Sequence, residues 1–184
     1  MNSSGSLSVA ADSDHSHNDR TQVSIDQLLG KESSMKAIIV FGMFLPGLAL
    51  AAANEAAVRH VVQAFYMAFD EGFVKPVDFA TDDWYHINPF GGIDRGIEAT
   101  LKTVREVHTT FLKGVTDTPE DIAIRFASGD VAVATVTSTM SPYTGPDGVK
   151  KGPQKQVRTF IVVKRGERWL IMQDHNTTVA SPPA

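Results

Sequence analysis

The 184-residue chain has no cysteine. This absence excludes disulfide bonds, thiolate metal ligands and cysteine nucleophiles together. An excess of basic residues is also missing, since 17 Lys and Arg stand against 21 Asp and Glu and give a formal net charge of −4. Nucleic-acid binding is therefore not expected, because it depends on positive charge that neutralises phosphates.

Motifs for cofactors and metals are missing too. The chain has no Gly-rich dinucleotide fingerprint, and no P-loop lysine follows Gly91-Gly92, which reads as a turn. Histidines and carboxylates do not recur at the spacings of a metal site. The sequence therefore predicts no cofactor and no metal.

One uncharged apolar run lies between Met35-Lys36 and Leu50. It is shorter than the roughly 20 apolar residues that span a membrane, and the small residues after it fit the Ala-x-Ala cleavage rule. Residues 35–53 are therefore predicted to be a signal peptide, with the mature protein starting between Ala51 and Asn54. The expected location is secreted or periplasmic, with no membrane association after cleavage.

The residues around this segment complete the predicted domain organisation. Residues 1–34 are polar and rich in Ser and Asp, which indicates a disordered or mis-assigned upstream segment, with Met35 as the true start. Pro46-Gly47 is expected to break the helix and leave an extended segment for the peptidase. One domain is predicted over residues 54–180, and residues 181–184 are a tail.

Hydrophobic periodicity predicts helices first and mostly strands afterwards. A helix capped by Asn54 ends at Glu71-Gly72, and a second helix covers Ile97–Lys113. The predicted strands are Asp83–Asn88, Asp121–Ala127, Val131–Met140, Gln156–Lys164 and Trp169–Thr177. This order predicts an α+β fold, in which a curved antiparallel sheet wraps over the helices and leaves a cavity at its open end.

Alternation along three of these strands predicts which side chains face the cavity, because successive residues in a strand point to opposite sides. Each predicted inward row combines apolar side chains with one or two polar groups, as a binding pocket does. The rows are Trp84, His86 and Asn88; Arg158, Phe160 and Val162; and Trp169, Ile171, Gln173 and His175.

The histidines are the candidate acid–base residues, because imidazole titrates near neutral pH. His86 and His175 are the catalytic candidates, with a hydrogen bond at the sheet rim as the alternative for each. His108 lies on the apolar stripe of the second helix and is either a core histidine or a ligand contact. No Asp or Glu falls on the inward rows, and Asp174 is expected to face away from its neighbour His175.

The remaining candidates are contacts to a small-molecule ligand. Arg158 would bind a carboxylate or phenolate, or else lie in solvent at a sheet edge. Asn88 would either contact the ligand or hold the turn that Pro89 begins. The other predicted contacts are Trp84, Phe90, Phe160, Gln173 and Asn176. For Trp84 and Phe90 a place in the apolar core is the alternative.

The order of elements and the local motifs resemble a known superfamily. Asn88-Pro-Phe-Gly-Gly92 follows the first strand, Arg95-Gly96 opens the helix that carries His108, and the last strand ends in His175-Asn-Thr177. Over about residues 55–179 the chain resembles the nuclear transport factor 2-like (cystatin-like) superfamily, within it the SnoaL-like group and its SgcJ/EcaC-type branch. The resemblance implies a cone with an internal pocket and a homodimer formed through the outer sheet face.

Two functions are consistent with the sequence and the resemblance, because the superfamily includes isomerases, cyclases, epoxide hydrolases and binding proteins without chemistry. One is a cofactor-independent isomerase, cyclase or hydratase-like enzyme that uses His86 or His175. The other is a non-catalytic module that binds a small, largely apolar molecule. The paired histidines favour the enzyme and the missing inward carboxylate favours the module, so both remain open.

Overall fold

The structure is a computed structural model that describes residues 46–180, and it confirms the predicted α+β fold. Two helices pack against one face of a curved, mostly antiparallel sheet. The elements are α1 (Pro46–Asp70), β1 (Ala80–Ile87), β2 (Ile93–Arg95), α2 (Ile97–Thr109), β3 (Asp117–Ser128), β4 (Val131–Met140), β5 (Tyr143–Thr144), β6 (Lys150–Lys151), β7 (Gln154–Arg165) and β8 (Arg168–Thr178).

Helix α1 begins earlier than the sequence indicated. Residues 46–53 are already helical, so the predicted extended segment after Pro46-Gly47 and the predicted cap at Asn54 are both wrong. The alanines of this segment favour helix. Asn54 instead accepts a hydrogen bond from the Trp169 indole at 3.4 Å. The rest of the predicted signal peptide and the 1–34 segment lie outside the described residues, as does the predicted tail.

The main sheet has the strand order β2-β1-β8-β7-β4-β3, and β5 pairs with β6 in a separate short hairpin. All neighbouring strands are antiparallel except β1 and β8, which run parallel. The five predicted strands are present, Val131–Met140 with the predicted bounds and the other four with shifted ends. Strands β2, β5 and β6 were missed because two or three residues are too few to show alternation.

The core fills the space between the helices and the concave face of the sheet. Phe65 of α1 lies at its centre, edge-to-face with Phe160 of β7 at 5.1 Å and with Trp84 of β1 at 6.2 Å between ring centroids. All three side chains are fully buried. Aromatic pairs of this geometry contribute about 0.5–1.5 kcal/mol each beyond the apolar area that they bury. Neither helix of residues 46–180 is long and apolar enough to cross a membrane.

A β-bulge in β8 decides which of its side chains face the core. Ile171 pairs with Val162 and Gln173 pairs with Ile161, so Met172 is an extra residue without a partner. Trp169 and Ile171 point inward as predicted, but beyond the bulge the alternation reverses. The inward residues are then Asp174 and Asn176, and the predicted inward orientation of Gln173 and His175 is wrong.

Deletion of Met172 is therefore expected to be tolerated. Without this extra residue, Ile171, Gln173 and Asp174 alternate regularly, so the Asp174 carboxylate stays in the interior, and the free energy of unfolding in urea titrations should fall by about 1 kcal/mol. Deletion of Leu170, which pairs with Val163, is the comparison. It makes Trp169 and Ile171 adjacent, so both can no longer face the core, and it should cost about 2–5 kcal/mol. Equal effects of the two deletions would contradict the role given to the bulge.

Candidate functional site

A cavity of about 310 Å³ lies between the concave sheet face and the two helices. Its walls are mostly apolar, with phenylalanines from α1, valines and Leu112 from α2 and the segment after it, and Met140 from β4. Eight polar side chains interrupt this surface. Five of them are candidates from the sequence, namely His86, Asn88, His108, Arg158 and Asn176, and the other three, Thr103, Tyr143 and Thr178, were not.

The other candidates lie elsewhere. Phe90 lines the mouth of the cavity and is largely exposed. Trp84 and Phe160 are fully buried in the core and do not line the cavity, so the prediction that they contact ligand is not supported by their position. Gln173 and His175 face the outer side of the sheet, where His175 is exposed. His86 and His175 therefore do not converge on one cavity, contrary to the expectation from alternation.

Asp174 is the centre of the polar wall, although sequence analysis had assigned it to the outer face. One carboxylate oxygen, Oδ1, accepts hydrogen bonds from Trp84 Nε1 at 2.8 Å and His86 Nδ1 at 2.9 Å. The other, Oδ2, accepts from Arg158 Nη1 at 2.6 Å. The Asp174 side chain is completely buried, and those of His86 and Arg158 are nearly so.

The strand pairing explains how these residues meet. Parallel pairing of β1 with β8 aligns His86 with Asp174. Antiparallel pairing of β7 with β8 places Phe160 opposite Asp174 and Arg158 opposite Asn176, so Arg158 is a diagonal neighbour of Asp174 on the same face. Residues separated by 88 positions in the chain thus form one contact, which no local sequence pattern reveals.

The electrostatic balance keeps Asp174 ionised. Burial alone raises the pKa of a carboxyl group, but the charges and hydrogen bonds of His86 and Arg158 outweigh it and hold the pKa of Asp174 below its ordinary value. The carboxylate engages His86 through Nδ1, which leaves Nε2 for a molecule in the cavity. A neutral His86 in this tautomer has a lone pair on Nε2 and can act as a general base.

His108 faces the same cavity from α2. Its Nδ1 donates a hydrogen bond to the Val104 carbonyl at 2.7 Å, and its ring packs edge-to-face on Phe69 at 4.6 Å. Burial lowers the pKa of His108, so the ring is neutral and Nε2 is an acceptor without a protein partner. His108 is therefore a buried histidine that also lines the cavity, and its contact with a ligand stays a prediction.

The two amides of the cavity wall differ in their bonding. Asn88 Oδ1 accepts hydrogen bonds from the backbone N–H groups of Phe90 at 2.9 Å and Gly92 at 3.0 Å, so this side chain holds the turn. Asn176 Oδ1 is buried without a partner, as is Arg158 Nε. Among residues 46–180, no three His, Asp or Glu side chains gather in a way that could hold a metal ion.

Comparison with known proteins identifies the fold. An uncharacterised protein from Caulobacter vibrioides with a cystatin-like fold is 24% identical over 68% of this chain and 89% of that one, with a TM-score of 0.63. This chain has the nuclear transport factor 2-like, or cystatin-like, cone fold. No protein-family model and no curated protein sequence matches it.

Two further structures share the cone with lower sequence identity. A candidate scytalone dehydratase from Novosphingobium aromaticivorans is 15% identical over 72% of this chain and 89% of that one, with a TM-score of 0.60. A type 3 hexachlorocyclohexane dehydrochlorinase from Novosphingobium barchaimii is 16% identical over 74% and 93%, with a TM-score of 0.63. At these identities the likeness establishes the fold alone.

Replacement of the buried carboxylate should change both stability and its pH dependence. Because the pKa of Asp174 is lower in the folded state than in the unfolded chain, its ionised form stabilises the protein above about pH 4, and this is lost as the pH falls through the folded-state value. Asp174→Asn should lower the free energy of unfolding at neutral pH by about 3–5 kcal/mol, since it leaves Arg158 buried without its partner. The difference in the free energy of unfolding between Asp174→Asn and the unchanged protein should be smaller in acid.

Urea titrations at about pH 7 and about pH 3 measure both effects. Asp121→Asn is the control, because Asp121 is exposed on β3, and it should change stability by less than about 0.5 kcal/mol. A loss for Asp174→Asn that is as small as the control, or that grows in acid, would contradict the assignment.

Proposed function

We propose that this protein is a cofactor-independent lyase or isomerase that acts on a small, largely apolar molecule. The observation that carries the proposal is the contact of Asp174 with His86 and Arg158 at the wall of an apolar cavity. In the proposed reaction His86 Nε2 removes a proton from a carbon atom of the substrate. The Asp174 carboxylate stabilises the imidazolium that forms.

Arg158 would stabilise the negative charge that develops on the substrate. Its Nη1 is paired with Asp174, and the Arg158 side chain lines the cavity. A fixed cation in an apolar site stabilises such charge more strongly than water does. The protonated His86 then returns the proton to another substrate atom in an isomerase, or a leaving group departs in a lyase.

His108 would orient the substrate from the opposite wall. A neutral Nε2 acceptor favours a ligand with a hydroxyl or N–H group at that point. The structural neighbours include a candidate dehydratase and a dehydrochlorinase, and both names denote elimination reactions. This likeness supports the reaction class only by analogy of fold.

The second candidate is a non-catalytic module that binds its ligand in the same cavity. The mostly apolar lining favours it, because such a surface binds a small molecule without any chemistry. A carboxylate does face inward, that of Asp174, so the module is not favoured by the lack of one. Proton transfer by His86 distinguishes the enzyme from the binding module.

We also propose that the protein is exported, as the apolar run and the Ala-x-Ala sites suggest. Residues 47–53 form the exposed start of α1, so cleavage before Asn54 would remove no buried side chain. A homodimer through the outer sheet face is proposed as well. The outer row of β4 supports it with Val131 and Val133, which are only half-buried beside exposed threonines.

Proton exchange tests the proposed chemistry without knowledge of the natural substrate. The probe is 2-tetralone, a bicyclic ketone with acidic C–H bonds, and its exchange in D₂O is followed by proton NMR. The protein should accelerate the exchange, and His86→Ala should remove about 10²–10⁴-fold of the acceleration, the usual contribution of a general base. His175→Ala should have no effect, because His175 is exposed on the outer face.

Equal exchange rates for the wild-type protein and His86→Ala would contradict the enzyme. Binding of 2-tetralone by calorimetry without any exchange would favour the binding module instead. Unfolding is monitored in parallel, so that a loss of fold is not read as a loss of catalysis.

A further inference from the structure

A second group of buried polar side chains lies behind the cavity wall, and none of its members lines the cavity. It consists of Tyr66 from α1, Asp117 from β3, Ser138 from β4 and Gln156 from β7, here called the Asp117 cluster. Each of these residues is 3% exposed or less. The proposed reaction does not use any of them.

The cluster contains polar atoms that the protein leaves without hydrogen bonds. Ser138 lies close to both Tyr66 and Asp117. Nevertheless, the Tyr66 hydroxyl, both carboxylate oxygens of Asp117, Ser138 Oγ and Gln156 Nε2 all lack a completed hydrogen bond. Folded proteins leave few buried polar groups unpaired, because each costs free energy. Several unpaired polar atoms at one place therefore indicate a bound polar partner.

The strand pairing places this cluster next to Arg158. Ser138 pairs with Gln156 across β4 and β7, and Asp117 pairs with Met140 across β3 and β4. Arg158 is two residues beyond Gln156 on the same face of β7 and has its own unpaired Nε. Its charge acts on both Tyr66 and Asp117. The cluster is thus next to Arg158, which lines the cavity.

The chemistry of the unpaired atoms selects the partner. The Gln156 amide and Arg158 Nε are donors, whereas the Asp117 carboxylate is an acceptor. The arginine charge and the amide N–H disfavour a cation, and the carboxylate disfavours an anion. Water donates and accepts at once, and buried waters usually make about three hydrogen bonds to such groups.

We propose that the Asp117 cluster is an internal water-binding site and that its water fixes the Arg158 guanidinium against Asp174. The water bonds to Asp117, Gln156 and Arg158 Nε, which pairs three of the atoms that the protein leaves open. Asp117 is then a positioning residue, since it acts on the cavity through the water and Arg158. The site does not depend on the proposed reaction, because the geometry of Arg158 is the same in an enzyme and in a binding module.

A crystal structure at about 1.5 Å tests the site directly. An ordered water within hydrogen-bonding distance of the Asp117 carboxylate and Gln156 Nε2 is expected. A dry cluster, in which the side chains bond directly to one another, would overturn the proposal. Density with the short, multiple oxygen contacts of a bound metal ion would overturn it as well.

The link to Arg158 is tested by NMR, which needs no substrate. The Arg158 Nε–H resonance should show a cross-peak to bound water in the wild-type protein. Asp117→Leu should abolish the cross-peak, whereas Thr137→Val, on the exposed face of β4, should leave it unchanged. A cross-peak that persists in Asp117→Leu would overturn the role of Asp117.

Asp117→Asn keeps the proposal testable if the leucine variant does not fold. Burial raises the pKa of Asp117, so a neutral amide at this position relieves the cost of an ionised carboxylate. The asparagine variant should therefore retain the cross-peak and melt at the same temperature or higher. Loss of the cross-peak in a folded Asp117→Asn protein would contradict the proposal.

Discussion

The buried carboxylate of Asp174 is the interaction on which the rest of the site depends. It lies at zero exposure and accepts hydrogen bonds from Trp84, His86 and Arg158. An isolated charge at such depth would be strongly unfavourable, so the three donors and the carboxylate require one another. The result is a histidine with a fixed ring orientation beside a fixed cation, at the edge of an apolar cavity.

Stability and ligand binding favour different kinds of side chain in this interior. The aromatic core around Phe65 supplies the stability, and the polar groups of the wall reduce it wherever they lack partners. His108 Nε2 and Asn176 Oδ1 remain unpaired in the cavity wall. Such groups are retained in folded proteins mainly where a ligand or water satisfies them, which is the reason to regard the cavity as a binding site.

The sequence predicted the architecture and one half of the site. Alternation identified His86 correctly, because β1 is regular from Trp84 to His86. It failed for His175, because a bulge at Met172 reverses the faces of β8 and arises from pairing with β7 rather than from local sequence. Asp174 was therefore assigned to the wrong face. Asp117 was missed because Pro119 made the first residues of β3 look unlike a strand. β3 is an edge strand, and edge strands tolerate proline.

The tautomer of His86 is the most direct test of this account. Nitrogen-15 NMR of the imidazole rings distinguishes a protonated nitrogen from one with a free lone pair. If Asp174 orients His86 as the structure shows, the neutral ring must carry its proton on Nδ1 and leave Nε2 unprotonated toward the cavity. A neutral His86 with its proton on Nε2 would contradict the account, because that ring could neither donate to Asp174 nor accept a proton from a substrate.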